Sequence, residues 1–548
     1  MFRVHHVKSN LFKKGDDIVV DPKDVVDPKD PFLAQLLLNK MKLAEEIQLI
    51  QSRIDIELKS KENMEKFVQN GTDVSYDDLI EMAETYQPNG LGRAVSMAVQ
   101  NVALSVLDKD PKKYQGLSAR SWNVQTGSKT PSNQMYSGRC WMFAGLNVLV
   151  RQMINMWNLK PDFELSQSYL FFWHYVEQYN DMLNLFFKED ELKDKFNDKR
   201  REFLEGPLQD GANWINFIRL VKKYGVVPKS LDGESFATVS SAEMKSALSN
   251  MISNDIYEME KQKLDKEQFK KFRNEKMKDV VHVLCTFMGV PPTINDTIFE
   301  IETKVPGKNL KIKVKNPQQF FSLINKSGVD FKPTQGQEIR INPVDMSVHV
   351  QVINDKRKDS RDIKNKLSLD KTWYTTCYQE YQPQKNLLYN IKNMETIVNI
   401  VLTSLKMGRP VWFACNMNTD VDTLAEGMDE HLYQPELFLP EAYKSEMKKA
   451  DRMNYGLAHC NHAMLIVSAE TKINGPGTEE VIAFEIENSW GTKGRAGGFY
   501  KMTKGWFVER AYTVVVHPTV IREVIGPDYV VPAVNVALGV YPLGDFFG

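Results

Sequence analysis

The stretch NQMYSGRCWMFAG, residues 133 to 145, sets one cysteine between the turn-forming Ser137-Gly138-Arg139 and an apolar run of helical character. Nucleophilic cysteine chemistry runs through the thiolate, and a helix N-terminus with a neighbouring imidazolium is the ordinary means of lowering a thiol's pKa. Cys140 falls in the first turn of the helix predicted from here through Val150, so the dipole is in place. A tetrahedral acyl intermediate also needs donors aimed at its oxyanion. Gln134, six residues upstream, offers a side-chain amide beside the Cys140 backbone N–H.

The base has to come from elsewhere in the chain. Of nine histidines, His459 and His462 stand together in GLAHCNHAMLIV (456 to 467); His462 abuts the strand-like run, and His459 falls on the loop before it. A rigid strand holds a ring better than a loop does, which favours His462. Downstream, EIENSWG (485 to 491) supplies Asn488, whose amide oxygen can accept the imidazole N–H, and Trp490, whose indole can shield that bond from water. Taken alone, Cys140 reads as a buried thiol, because free cysteines are among the most buried residues. Gln134, His462 and Asn488, in order, turn it into a nucleophile. The H-C-N-H cluster has no second ligand pair at metal-site spacing, so neither a metal nor a cofactor is expected.

Two kinds of element must position these residues. From about 73 to 255 helical patterns dominate, including CWMFAGLNVLVRQMINMW and the aromatic-rich ELSQSYLFFWHYVEQYN, whose stripe suits a core. A lysine-rich helix is predicted over 261 to 279, a solvated face with no further role, and strand-like pieces such as LKIKVK and SVHVQVI follow. The last third is rich in short β-branched or aromatic segments: PVWFACN, AMLIVSAE, VIAFEIENSW, GGFYKM and AYTVVVH. Helices come first and a sheet later, an α+β order. Ahead of both, the repeat VVDPKDVVDPKD (19 to 30) suits a linker, and a helix capped by Asp30-Pro31 carries Leu43, Ile47, Ile50 and Ile54 on one stripe.

The bulk properties exclude some classes. A chain of 548 residues exceeds the usual size of one domain, and 42% apolar with 26% charged residues is the composition of an ordinary globular protein. A net charge of -1 gives no global field to recruit nucleic acid. No secretory signal opens the chain and no membrane-spanning apolar run occurs, so a cytoplasmic location and no membrane partner are expected. Five scattered cysteines, Cys140, Cys285, Cys377, Cys415 and Cys460, argue against a disulfide framework.

Q-x-x-S-G-R-C-W-x-F-A, then N-H-A-M, then E-N-S-W-G, in that chain order, resembles the papain-like cysteine peptidases, and in detail the bleomycin hydrolase (aminopeptidase C) family. In papain-like enzymes of ordinary size the histidine follows the cysteine by about 130 to 150 residues. Here the interval from 140 to 462 is more than twice that, and a large insertion of this kind is what the bleomycin hydrolase branch carries. FELSQSYLFFW (163 to 173) and KKYGVVPK (222 to 229) also look like that branch. The resemblance covers about residues 75 to 548.

The resemblance implies a papain-like fold with a helical half carrying the cysteine and a β-barrel-like half carrying the histidine and asparagine. The expected division is an N-terminal extension (1 to 74), a helical half (75 to 255), an insertion (256 to 380), a β-rich half (381 to 535) and a C-terminal arm (536 to 548). It also implies Cys140 as nucleophile, His462 as base and acid, Asn488 as orienter and Gln134 as oxyanion donor in an aminopeptidase acting on peptides, assembled as a homohexamer. The arm, VALGVYPLGDFFG, would place a terminal carboxylate, that of Gly548 or of a residue just before it after trimming, against a substrate's α-ammonium. The alternatives are an endopeptidase whose first 75 residues are a pro-segment, and a nucleic-acid-binding scaffold, a role linked to members of this family.

Overall fold

A computed structural model describes residues 76–84, 90–292, 297–326, 329–331, 339–341, 346–356, 371–375, 386–439, 447–475, 478–526 and 535–536. The predicted linker repeat, the helix after it and the C-terminal arm beyond Val536, Gly548 included, lie outside the described residues. The chain separates into two units, Met1–Ser96 and Met97–Gly548. Of the first, the helix Tyr76–Glu84 and the start of the helix Gly90–Asn101 are described.

In the second unit the central element is α1 (Cys140–Trp157), which spans the whole helical run CWMFAGLNVLVRQMINMW before Asn158 closes it in the left-handed region. It is apolar on nearly every side, as a helix enclosed by protein must be. On one side lie α2 (Gln167–Lys188), capped by Ser166, and α3 (Trp214–Tyr224), opened by an Asn213/Asn216 capping box. Gly225 ends α3 with φ 74°, and a Cβ there would fall 2.1 Å from the Pro317 carbonyl carbon, so no other residue fits. The lysine-rich segment is not the single helix expected over 261 to 279. α4 (Ala242–Gln262) stops at Lys263, which adopts φ 48°, and Asp265 caps a new helix, α5 (Lys266–Met288). The capping box of Asp265 and Gln268 outweighs the continuity of charge, and α5 folds back to stack Phe269 on Phe187 of α2, ring centroids 3.9 Å apart.

On the other side of α1 stands a twelve-stranded mixed sheet. Its main strands are β1 (Val350–Ile353), β2 (Lys371–Thr375), β3 (Asn386–Asn390), β4 (Val411–Cys415), β5 (His462–Gly475), β6 (Thr478–Glu487), β7 (Phe499–Thr503) and β8 (Ala511–Val516). They lie in the order β7-β6-β5-β4-β8-β1-β3-β2, with two short strands beyond β7 and Asn535–Val536 beyond β2. Val124–Gln125, from ahead of α1, pairs with β5. Strand alternation divides the burial. Trp412, Ala414, Ala463 and Leu465 face a core shared with Trp141, Leu149, Tyr175 and Phe217. Phe413, Met464, Ile466 and Phe484 face a second core under α6 (Met394–Lys406).

Candidate active site

Cys140 is the first residue of α1, behind Arg139 at the N-cap. The turn leading to it is held at each step. Gly138 N–H donates to Asp210 Oδ2 at 3.0 Å, and Trp141 Nε1 donates to the Asp210 carbonyl at 2.8 Å. The fully buried Arg139 guanidinium reaches Glu234 Oε2 at 2.9 Å and lies 5.2 Å over the rings of Phe143 and Phe171. The thiol is buried, which by itself would push it up. The charge and hydrogen bond of His462, with the N–H groups of Ala463 and Trp141, outweigh that and hold it below its ordinary value.

His462 begins β5 opposite Cys415 of β4. Its Nε2 is 2.8 Å from Oδ1 of Asn488, the residue after β6. Asn488 is fixed in turn, since its own N–H donates to Gly498 O at 3.2 Å and its Oδ1 also accepts from Ser489 N–H at 2.8 Å. The Trp490 ring tilts over the imidazole with centroids 4.9 Å apart and stays partly exposed to solvent. Burial favours neutral imidazole here, but the Cys140 thiolate and the two side-chain hydrogen bonds raise the His462 pKa above its usual value. His459 lies exposed on the loop before β5.

Gln134 is buried, with Nε2 donating to Ser137 O at 2.6 Å and Oε1 accepting from Ser489 Oγ at 2.5 Å. Its backbone N–H donates to Ser489 O at 2.8 Å, and Gly491 N–H to Ser132 O at 3.0 Å. The Gln134 loop is thus zipped to the segment carrying Asn488 and Trp490. Four of the residues singled out in the sequence therefore meet at one place, beneath Trp490.

Sequence reasoning passed over a second group directly behind them. Glu487, at the end of β6, is almost fully buried. Arg151 of α1 sets Nε and Nη2 both 2.7 Å from its Oε2; Asn147, also of α1, donates to Oε1 at 2.8 Å, and Lys129 Nζ stands 3.4 Å from that oxygen. The signal was present in Arg151, a lone charge in an apolar helix, three turns after Cys140 on the same side. Among the described residues no group of three or more His, Cys, Asp or Glu is placed to hold a metal ion, and no helix is long and apolar enough to cross a membrane.

The model of the Peptidase C1-like family matches residues 73–529. The chain belongs to that family. Mouse bleomycin hydrolase is 31% identical over 399 residues, 72% of this chain and 81% of its own. Aminopeptidase C of Lactococcus lactis subsp. lactis is 27% identical over 460 residues, 82% of this chain and 94% of its own. The crystal structure of PepW from Lactobacillus rhamnosis shares the fold, with a TM-score of 0.70 at 23% identity over 84% of this chain and 96% of that one. This member of the family has a papain-like fold and is a cysteine-type aminopeptidase of the bleomycin hydrolase group.

Proposed function

We propose that the protein removes residues from the amino ends of peptides in the cytoplasm, through an acyl-enzyme on Cys140. The observation that carries this is the placement of His462, joined to the Cys140 thiol and, through Nε2, to Asn488 Oδ1 at 2.8 Å. With Nε2 committed to Asn488, Nδ1 is the nitrogen left for the thiol. The thiolate attacks the peptide carbonyl carbon, and the C=O electron pair moves onto oxygen. The Cys140 backbone N–H and the second Nε2 hydrogen of Gln134, the one not given to Ser137, stabilise that oxyanion. His462 then passes its proton to the leaving amine nitrogen as the C–N bond breaks, which leaves a thioester. Water, deprotonated by His462, then attacks the thioester carbon; the C–S bond breaks, the acid is released and the thiolate–imidazolium pair is restored.

The four cysteines known to be free, Cys140, Cys285, Cys415 and Cys460, suit a reducing compartment. Restriction to free amino ends is assigned to the C-terminal arm, whose carboxylate at or near Gly548 pairs with the substrate α-ammonium. A homohexameric assembly is part of the same reading, and light scattering that returned a monomer mass under native conditions would remove it.

The test is a peptide ladder incubated with the purified protein, with amino ends either free or blocked, before and after iodoacetamide. Stepwise loss from free ends alone, stopped by alkylation, is the expected result. Turnover that survives full alkylation of Cys140 overturns the mechanism, and equal cleavage of blocked peptides replaces the aminopeptidase with an endopeptidase.

A further inference from the structure

The catalytic set comes from four separate pieces of chain: the 132–134 loop, the start of α1, the start of β5 and the 488–490 segment after β6. Nothing in the chemistry of Cys140, His462 or Asn488 holds those pieces in register, and an error of about 1 Å at a reacting group costs on the order of a hundredfold in rate. Glu487 carries a side chain whose partners lie both on α1 and on the loop that leads to Gln134. It is itself the residue before Asn488. Arg151 and Asn147, which bind its two oxygens, sit on α1 with Cys140. Lys129, on the side of Oε1, also donates to Thr130 O at 2.7 Å and Ser132 Oγ at 2.9 Å, two residues from Gln134. Arg151 further donates to Gly127 O at 2.6 Å, which ties the same loop again.

We propose that Glu487 is a positioning residue for catalysis: its buried carboxylate fixes Asn488 relative to Cys140 and Gln134 by clamping the end of β6 to α1 and to the 127–132 loop. This rests on the reading of Cys140, His462 and Asn488 as the catalytic set. The cluster is a costly one to build. Arg151, Lys129 and Glu487 are each at least 97% buried, and desolvating three charges is favourable only where geometry and hydrogen bonds are nearly complete. A well-packed apolar trio would hold the halves together without that cost, but apolar contacts slide, whereas one directional donor on each oxygen, Arg151 Nε on Oε2 and Asn147 Nδ2 on Oε1, defines one position. The exchange of plain stability for defined geometry belongs beside a reacting centre.

The test uses Glu487→Gln and Glu487→Asp in the full chain. The first removes the charge; the second keeps it but withdraws the carboxylate by one methylene. Three quantities are read: melting temperature, kcat and KM per titrated Cys140 on a peptide with a free amino end, and the pH profile of Cys140 alkylation by iodoacetamide, followed by mass spectrometry of its own peptide. Positioning predicts that kcat falls about tenfold or more in Glu487→Gln and several-fold in Glu487→Asp, with KM within about twofold. It also predicts that the alkylation profile moves to higher pH in both, because a displaced Asn488 no longer orients the imidazolium that holds the thiol down. Glu487→Asp that is folded and retains the parent's kcat and alkylation profile overturns the proposal, as does any loss that only follows the fraction of folded protein. If Glu487→Gln does not fold, Glu487→Asp decides alone. Cys140→Ala is run alongside. Turnover retained there defeats the catalytic assignment itself, while the alkylation profiles of the Glu487 variants still report whether this carboxylate controls the thiol.

Discussion

Nε2 of His462 stands 2.8 Å from Oδ1 of Asn488, which commits that nitrogen and leaves Nδ1 for the thiol of Cys140. In the proposed mechanism this bond transfers no proton and serves to set the ring's tautomer and tilt. A hydrogen bond to a charged group contributes about 1.5–3 kcal/mol, so Asn488→Ala is expected to lower kcat by about ten- to a hundredfold with little change in KM. Steady-state kinetics on a free-ended peptide check this, and a larger effect on KM than on kcat would count against orientation as the role.

The two pKa shifts predict the pH profile. The Cys140 pKa is lowered and the His462 pKa is raised, each by the charge and hydrogen bond of the other against the cost of burial, so both shifts favour the thiolate–imidazolium pair. Activity should rise as pH climbs through the thiol's lowered pKa and fall as pH climbs through the imidazole's raised one. The linkage has matching signs. The lowered thiol contributes stability that is present above its unfolded pKa and lost as pH falls through the folded one; the raised imidazole contributes stability that is present below its unfolded pKa and lost as pH rises through the folded one. A pH series of kcat/KM, with single-site alkylation rates alongside, measures both limbs. A thiol that alkylates only at the pH of a free cysteine would refute the pair.

His459 and His462 are separated by two residues but differ in setting, the first exposed on the loop and the second buried at the start of β5. His462→Ala and Cys140→Ser are each expected to abolish turnover while the fold, followed by circular dichroism, is kept. His459→Ala should remain within about twofold of the parent, as surface substitutions generally do. The reverse pattern would move the base to the loop.

Gly145 lies on the face of α1 that meets α3, and a Cβ there would stand 2.8 Å from two ring atoms of Phe217. Alanine in place of glycine would otherwise favour the helix by about 1 kcal/mol. Overpacking a filled core costs about 1–3 kcal/mol, and Phe217 is fully enclosed, so the clash wins. Gly145→Ala should therefore lower the melting temperature; a rise would show that α3 yields freely.

Deleting Asp545 to Gly548 tests the C-terminal arm, which beyond Val536 lies outside the described residues. If its carboxylate selects free amino ends, the truncated protein should also cut blocked or internal bonds. Unchanged dependence on a free amino end, with unchanged kcat/KM, would place the exopeptidase restriction elsewhere.

The sequence by itself determined the parts and their local geometry. Cys140 opens a helix because a polar turn meets an apolar run, and His462 begins β5 because the β-branched and aliphatic run starts there. Such signals are short-range and survive in a string of letters. The same string misplaced the lysine-rich helix, because a three-residue break from Lys263 to the Asp265 cap weighs little in a pattern of charge but decides the backbone. What only the tertiary structure decided was how the pieces are held together. Glu487 stood in the quoted E-N-S-W-G motif, yet its partners Lys129, Asn147 and Arg151 lie more than 330 residues away in the chain. A buried charge is intelligible only with its counter-charges, and those are assigned by packing across the sheet-to-helix boundary, at distances no spacing rule in the sequence records.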